Sequence, residues 1–280
     1  MVTESDLLLP DGRTVHAYDT TGSEGDARLP VFWHHGTPNS GAPPEPLFAA
    51  AEERGIRWVS FDRPGYAGST PLPGRDLASV ASDTRAVADA LGIDRFAVVG
   101  HSGGSPHALA CAALLPDRVV SAACFAGMAP FSAEGLDWFV GMYPGGRAEL
   151  QTAIGGREAL AAQLDAGDYD PEMFTPSDLA TLSGEWSWFD TVVTAGLANG
   201  RGGMIDDDLA YVRPWGFDPT TITVPVLLAH GTDDRVLPIA HSRWLAQHCP
   251  TAELVEVDAA GHLSVLSYAS AALDWITAQA

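Results

Sequence analysis

The sequence predicts an α/β fold: a mostly parallel eight-stranded sheet with helices on both faces and an inserted helical cap. Two observations predict it. Short apolar runs rich in β-branched residues alternate with helical patterns along most of the 280 residues, as expected for strands buried on both faces. The alternation stops over residues 130–221, which we call the cap segment, and resumes after it. The expected organisation is one core domain, residues 1–129 and 222–280, interrupted by the cap segment.

The strands begin with a hairpin. Two runs at residues 7–9 and 14–18 flank the turn formed by Pro10, Asp11 and Gly12. The later runs are short, apolar and separated by helical patterns, and they lie at residues 31–34, 56–61, 96–100, 119–125, 224–229 and 252–257. Because helices connect them, these later strands are expected to be parallel.

Three helices are expected in the core domain. Residues 76–91 place apolar side chains on one stripe, and Gly92 follows as a stop signal. Residues 103–115 and 263–278 are expected to form the other two.

The cap segment is expected to be helical throughout. Its helix-forming pieces are interrupted by Gly-Gly pairs such as Gly202-Gly203, and they lie at residues 157–164, 177–182 and 186–197. Two similar ten-residue stretches begin with Gly145-Gly146 and Gly155-Gly156. We expect two short helices there rather than a structural repeat.

Charge and lysine content exclude several functions. The chain carries 36 Asp and Glu against 15 basic residues, all of them arginine, for a formal net charge of −21. Without lysine it cannot form a Schiff base, attach pyridoxal phosphate or supply a phosphate-loop amine. The acid excess would repel phosphates over most of the surface, which argues against a nucleic-acid partner. We expect a small-molecule substrate and no cofactor.

Cysteine usage and hydropathy bear on location. Cys111, Cys124 and Cys249 form no Cys-x-x-Cys pair and lie among apolar residues, which favours buried thiols. The first ten residues hold two acids and no basic residue, unlike a secretory signal. The longest apolar stretches fall well short of the ~20 residues that cross a bilayer. We expect a cytoplasmic protein with no membrane partner, and the sequence leaves the oligomeric state open.

The strongest chemical signal is a Gly-x-Ser-x-Gly turn at residues 100–104. An apolar strand precedes it, and a helix with Pro106 in its first turn follows it. A serine on so sharp a strand-to-helix turn is held in strained backbone angles that push its hydroxyl outward, while the flanking glycines let strand and helix approach. Ser102 is therefore predicted to be a nucleophile. The alternative is a glycine-rich loop with an incidental serine.

Two later residues can complete a catalytic triad with Ser102. A serine nucleophile needs a base, and the base needs an acid that orients it. Asp234 follows the predicted strand 224–229, and His262 follows the last predicted strand. Both stand at the carboxyl ends of strands, where sites form in open parallel sheets. Asp233 is the alternative acid.

Four motifs, in order, resemble the α/β-hydrolase superfamily over nearly the whole chain. Residues 35–38 (His-Gly-Thr-Pro) resemble its HGxP turn, and residues 62–69 resemble its DxPGxGxS loop, with Ala67 as a filler. The turn around Ser102 and the Gly-x-x-Asp-x-x-x-Pro stretch around Asp234 complete the set. The superfamily's spacing in that stretch favours Asp234 over the neighbouring acid.

The resemblance also implies how the site would work. The backbone N–H groups of Gly103, after the nucleophile, and Thr37, in the HGxP turn, would form the oxyanion hole. His101 is expected to point away from the site, and His34 and His35 to make loop-shaping hydrogen bonds. None of the histidines has metal-ligand spacing with a nearby acid, so no metal site is predicted.

The cap segment bears on the substrate. It concentrates aromatic residues, and the side chains predicted to contact substrate are Trp138, Trp186 and Trp188. Packing of the cap onto the core is the alternative. Residues 131–215 also hold fourteen Asp and Glu against four Arg. We expect these acids to form a solvated surface. The alternative is that one of them, Glu134, Glu185 or Asp190, faces the pocket and binds a cationic group of the substrate.

The sequence thus predicts a serine hydrolase that cleaves an ester, lactone or thioester of a small, partly apolar substrate through an acyl-enzyme on Ser102. The alternatives are a proline iminopeptidase-like aminopeptidase, a cofactor-free perhydrolase and a non-catalytic binder. Proline iminopeptidases usually have an HGGPG turn and a large residue after the nucleophile, where this chain has Gly103. Serine at the turn argues against dehalogenases and epoxide hydrolases, and the lack of lysine against lysine-assisted hydroxynitrile lyases.

Overall fold

The computed structural model describes residues 2–21, 26–167 and 170–280. Within them, eight strands form a single sheet in the order β1-β2-β4-β3-β5-β6-β7-β8. The strands are β1 (Thr3–Leu8), β2 (Thr14–Asp19), β3 (Leu29–His34), β4 (Ile56–Phe61), β5 (Phe96–His101), β6 (Val119–Phe125), β7 (Val226–Gly231) and β8 (Ala252–Val257).

The sheet topology confirms the predicted fold. The hairpin β1–β2 is antiparallel and adds antiparallel to β4 at one edge. All other neighbouring pairs, from β4–β3 through to β7–β8, are parallel. Because parallel strands end at the same edge, the carboxyl ends of β5, β7 and β8 lie on one side of the molecule.

Ten α-helices lie in the described part of the chain. They are α1 (Phe48–Glu53), α2 (Ser79–Ala90), α3 (Ser105–Leu114), α4 (Pro144–Ile154), α5 (Arg157–Ala166), α6 (Pro176–Leu182), α7 (Trp188–Leu197), α8 (Gly202–Tyr211), α9 (Ala240–His248) and α10 (Ala269–Thr277). Each predicted helix is present, although 3₁₀ turns form the first part of two of them, at Ser102–Gly104 and Ser264–Tyr268. Among these residues, every helix is too short or too polar to span a bilayer.

Apolar side chains cover both faces of the sheet. Successive residues of β3 point to opposite faces, so that Phe32 packs in one apolar layer while Val31 and Trp33 pack in the other. Strands β4, β5, β6 and β7 are buried at every residue. This burial on both faces explains why the central strands read as continuous apolar runs in the sequence.

The cap segment contains helices α4 to α8 and no strand in its described part. Two short helices, α4 and α5, occupy the pair of similar stretches, as expected. The break expected at Gly202-Gly203 is wrong in detail, because these glycines form the first turn of α8. A Cβ at Gly203 would lie 2.8 Å from Cδ2 of Tyr66 and 2.9 Å from the carbonyl group of Gly65, so the helix approaches a core loop here too closely for any side chain.

Helix α8 buries three consecutive carboxylates, Asp206, Asp207 and Asp208. The acidity of the cap segment is therefore not only a solvated surface, as the sequence suggested. One oxygen of Asp208, Oδ2, is buried without a hydrogen-bond partner. Burial first, and then the neighbouring Glu149 of α4, raise the pKa of Asp208 well above its ordinary value, which favours the neutral form of its carboxyl in the folded protein.

We expect Asp208→Asn to stabilise the protein. The amide has the shape of the neutral acid and can donate toward Glu149, yet it has no proton to lose. In the wild type, the unfolded chain ionises at Asp208 above pH 3.8 while the folded chain keeps the proton, so stability falls as pH rises between those two pKa values. The variant should gain roughly 1–3 kcal/mol in free energy of unfolding at neutral pH, because each pH unit over which only the folded chain keeps the proton costs about 1.4 kcal/mol.

Thermal and denaturant unfolding at about pH 5 and about pH 8 check this expectation, since the advantage of the variant should grow with pH. Asp190→Asn, which alters an exposed carboxylate of α7, is the matched control and should change stability little. An Asp208→Asn protein less stable than wild type at the higher pH would show that the carboxylate is charged and needed.

Candidate active site

Ser102 stands on the predicted sharp turn between β5 and α3. Its backbone φ is +54°, a left-handed conformation that non-glycine residues adopt rarely and at a cost. A Cβ at Gly104 would overlap the carbonyl oxygen of His34, and one at Gly100 would overlap Gly104 itself. The glycines on either side of the serine are thus required by the close approach of strand and helix.

A continuous chain of hydrogen bonds joins Ser102, His262 and Asp234. The distance between Ser102 Oγ and His262 Nε2 is 2.8 Å, and that between His262 Nδ1 and Asp234 Oδ2 is also 2.8 Å. Because an ionised carboxylate only accepts, Nδ1 carries the proton and Nε2 is left free to accept from the serine hydroxyl. This is the arrangement that makes a serine nucleophilic.

The carboxylate of Asp234 is fixed and charged. Its Oδ1 accepts the backbone N–H groups of Val236 at 2.8 Å and Leu237 at 2.9 Å. Burial favours the neutral acid, but His262 and then His230 outweigh it and hold the pKa of Asp234 below its ordinary value. The alternative acid, Asp233, is exposed to solvent. The structure therefore brings Asp234, and not its neighbour, to the histidine.

The two predicted oxyanion residues lie close together. A Cβ at Gly36 would be 3.5 Å from that of Ser102, so the turn that holds Thr37 lies beside the nucleophile. The hydroxyl of Tyr211, from α8, is 2.7 Å from Thr37 Oγ1 and donates to the carbonyl oxygen of Gly103 at 3.1 Å. One cap tyrosine thus bridges both residues, and its hydroxyl takes the space that a side chain at Gly103 would need.

Asp207 of α8 is a buried carboxylate beside this turn that accepts hydrogen bonds from several side chains. Its carboxylate accepts from Thr37 Oγ1 at 2.7 Å, Tyr66 Oη at 2.6 Å, Arg63 Nη2 at 2.7 Å and Arg75 Nη2 at 2.7 Å. Burial opposes the charged form, but the two guanidinium groups lower the pKa of Asp207 well below its ordinary value. Sequence reasoning missed this residue. The only signal was the run of three acids, which does not reveal that they are buried.

Two of the histidines near the triad behave as expected, whereas His34 does not, because its Nε2 lies 3.6 Å from Sγ of the buried Cys111 in α3. His101 points away from the nucleophile, and its Nε2–H donates to the backbone carbonyl of His262 at 3.1 Å. Burial, followed by the nearby His262, lowers the pKa of His101 to about 3, so it is neutral. His35 donates from Nδ1 to the carbonyl of Gly36 at 2.8 Å and accepts the N–H of Arg63 at Nε2. It shapes the turn that holds Thr37.

The three candidate substrate-binding tryptophans lie in different surroundings. Trp138 is buried, with its indole N–H donating to the carbonyl of Ala129 at 2.8 Å. Trp186 is buried and stacks on Phe189 with ring centroids 5.6 Å apart. Trp188 is partly exposed and lines a surface cleft of about 420 Å³. A substrate contact for any of them stays a prediction.

The carboxylates proposed to read a cation are all exposed. Glu134, Glu185 and Asp190 lie on the surface of the cap segment, and Glu185 lines the same cleft as Trp188. Among the described residues, no group of three or more His, Cys, Asp or Glu side chains is arranged to hold a metal ion.

Comparisons with known proteins show the family to which the chain belongs. The family model described as alpha/beta hydrolase fold matches residues 30–267. A non-heme chloroperoxidase of Streptomyces lividans is 29% identical over 238 residues, 82% of each chain. A bifunctional esterase/perhydrolase of Acinetobacter calcoaceticus is 26% identical over 212 residues, 74% of this chain and 75% of the other.

Solved structures share the fold. The enol-lactonase from Burkholderia xenovorans LB400 matches with a TM-score of 0.72 over 98% of this chain and 99% of its own, at 21% identity. The family match covers most of the chain, including the residues that carry the four motifs. The protein belongs to the α/β-hydrolase fold family.

Proposed function

We propose that the protein is a serine hydrolase that cleaves the ester, lactone or thioester bond of a small, partly apolar substrate. The observation that carries the proposal is the unbroken hydrogen-bond chain from Ser102 Oγ through His262 to Asp234, at 2.8 Å for each link. Membership of a hydrolase family and the esterase and lactonase among its relatives support the substrate class.

The mechanism follows from the geometry. Ser102 Oγ attacks the substrate carbonyl while His262 Nε2 takes its proton, and charged Asp234 stabilises the imidazolium. The oxyanion accepts the N–H groups of Thr37 and Gly103, each donor lowering the barrier by about 2.7–4 kcal/mol. The protonated His262 then gives its proton to the leaving oxygen or sulfur, and the acyl group remains on Ser102. Water, deprotonated by the same histidine, attacks the acyl-enzyme and releases the acid.

We further propose that residues 130–221 act as a cap over a core made of residues 1–129 and 222–280. Two cap helices already contact the core loops that bear the reactive groups: α8 through Asp207 and Tyr211, and α6 through Asp178. The aromatic side chains Trp138, Trp186 and Trp188 remain our candidates for contact with an apolar acyl group.

A second candidate is a perhydrolase reaction of the same acyl-enzyme. If hydrogen peroxide replaces water in the second step, the acyl group on Ser102 leaves as a peracid and the serine hydroxyl is regenerated. The relative described as a bifunctional esterase/perhydrolase favours keeping this candidate. The aminopeptidase alternative lacks such support, because the carboxylates proposed for it are exposed.

A substrate panel tests the proposal. Initial rates should be measured on p-nitrophenyl esters of graded acyl length, several lactones and prolyl-p-nitroanilide, each with and without hydrogen peroxide and a peracid assay. We expect esters or lactones to be turned over faster than the anilide. Faster cleavage of the anilide would overturn the substrate class in favour of the aminopeptidase, and no turnover of any member would favour a binding protein.

A further inference from the structure

Asp178, near the start of cap helix α6, lies directly against the loop that carries His262. Its Oδ2 accepts the backbone N–H of His262 at 3.1 Å, and its Oδ1 accepts those of Leu263 and Ser264 at 2.8 Å each. The side chain is only 1% exposed. A carboxylate from one segment of the chain thus holds three successive residues of another, including the proposed base.

Both oxygens of this carboxylate are fully engaged as acceptors. In addition to the three contacts above, Oδ2 accepts the N–H of Thr175 at 3.0 Å within the capping box of α6, and Oδ1 accepts the hydroxyl of Ser264 at 2.9 Å. Burial opposes its charge, but the surrounding donors outweigh burial and lower the pKa of Asp178. Every one of these partners is a donor, so the surroundings favour the ionised carboxylate, which only accepts.

The backbone of His262 is consequently held on both sides. Its N–H donates to Asp178, and its carbonyl oxygen accepts from His101 Nε2–H at 3.1 Å. A Cβ at the preceding residue, Gly261, would overlap the Asp178 carboxylate, so the approach of the two segments requires that glycine. The imidazole is left to make its bonds to Asp234 and Ser102 from a fixed backbone.

We propose that Asp178 is a positioning residue, through which the cap segment holds His262 within hydrogen-bond distance of Ser102. The inference rests on the proposed function, in which His262 is the base. The role of Asp178 is more than capping of α6, because four of its five donors are groups of His262, Leu263 and Ser264, in the loop that carries the base. Misplacement of a catalytic group by about 1 Å can cost about 100-fold in rate, so loss of this contact should slow chemistry.

The test is the rate at which a fluorophosphonate phosphonylates Ser102 in the full chain, followed by peptide mass spectrometry. In Asp178→Asn, an amide N–H₂ group replaces one of the two carboxylate oxygens. That group cannot accept hydrogen bonds, so some of the donors in the loop that carries His262 lose their acceptor. We expect phosphonylation and kcat on a p-nitrophenyl ester to fall about 10- to 100-fold. KM should change less than about threefold, since no substrate contact is removed.

A matched variant separates positioning from stability. Leu182→Ala lies at the end of the same helix and removes apolar packing without removing any of the hydrogen bonds to the loop that carries His262. It should lower the Tm yet keep the wild-type phosphonylation rate at a temperature where the protein is folded. The downfield proton resonance of His262 Nδ1–H should shift or broaden in Asp178→Asn and stay in place in Leu182→Ala.

Every outcome of these measurements either supports or overturns the inference. Phosphonylation of Asp178→Asn at the wild-type rate, or equal losses of rate in both variants, would overturn the inference. Should Asp178→Asn fail to fold, Ser264→Ala removes one donor to the same carboxylate. It should slow phosphonylation about three- to tenfold, and a wild-type rate would overturn the inference. Wild-type protein that is not phosphonylated at Ser102 would instead contradict the proposed function.

Discussion

Ser102→Ala is expected to abolish hydrolysis almost completely. Removing the hydroxyl deletes the nucleophile that His262 contacts at 2.8 Å, and no acyl-enzyme can form. Loss of a triad serine typically costs on the order of 10⁴ to 10⁶ in kcat, and what remains comes from oxyanion stabilisation and binding. The measurement is kcat on the best ester or lactone of the substrate panel.

Two controls make this loss interpretable. Ser82→Ala applies the same change to an exposed residue of α2 and should retain wild-type kcat. The Ser102→Ala protein should also fold normally. Its backbone strain at residue 102 should equal that of the wild type, because alanine adopts the left-handed conformation no more easily than serine does. A folded Ser102→Ala protein with wild-type activity would refute the mechanism.

Asp234→Asn is expected to have the second largest effect, a fall of about 10⁴-fold in kcat. The amide oxygen can satisfy the N–H groups of Val236 and Leu237, as Oδ1 of the acid does. Its N–H₂ then faces His262 Nδ1, which must become an acceptor, so the ring proton moves to Nε2. That tautomer cannot take the proton of Ser102. Because the geometry is nearly preserved, KM should change little.

The adjacent acid provides the control for this prediction. Asp233→Asn changes an exposed carboxylate one residue earlier and should leave kcat within about threefold of wild type. If Asp233→Asn were the inactive variant, the assignment of the acid would be wrong.

The same carboxylate gives a pH dependence. The pKa of Asp234 is lower in the folded protein than its ordinary value of 3.8. Its charge therefore stabilises the fold at neutral pH, and this contribution is lost only as pH falls below 3.8 toward the folded pKa. The difference in stability between wild type and Asp234→Asn should accordingly shrink below about pH 4.

The centre of the fold could be predicted because its strands are buried on both faces. Apolar runs at residues 56–61 and 119–125 match β4 and β6 at both ends, and both strands are buried at every residue. The run at 252–257 matches the edge strand β8 at both ends, although no residue of that strand is fully buried. Helix α9 was missed because its buried side includes His241 and Ser242, so it shows no clean apolar stripe. Helix α1 has only six residues, three of them alanine, too few for a periodic pattern.

The triad could be predicted because it lies in local motifs at strand ends. The turn around Ser102 and the spacing around Asp234 carry their chemistry within a few residues. The contacts made by the cap segment have no such local motif. Asp178 contacts His262 across 84 residues of sequence, and Asp207 contacts Thr37 across 170. A run of acids in a sequence does not distinguish a solvated surface from buried carboxylates paired with arginine, so these positions emerged only from the folded chain.

Fluorophosphonate labelling tests the central claim most directly, since it asks whether Ser102 is an activated nucleophile without assuming any substrate. The full-length protein should be incubated with the probe, digested and mapped by mass spectrometry, with Ser102→Ala alongside. We predict a single phosphonyl adduct on Ser102, complete loss of ester hydrolysis in proportion to labelling, and no adduct in the variant. Hydrolysis that persists while Ser102 remains unlabelled, or an adduct at another residue that tracks the loss of activity, would contradict the account.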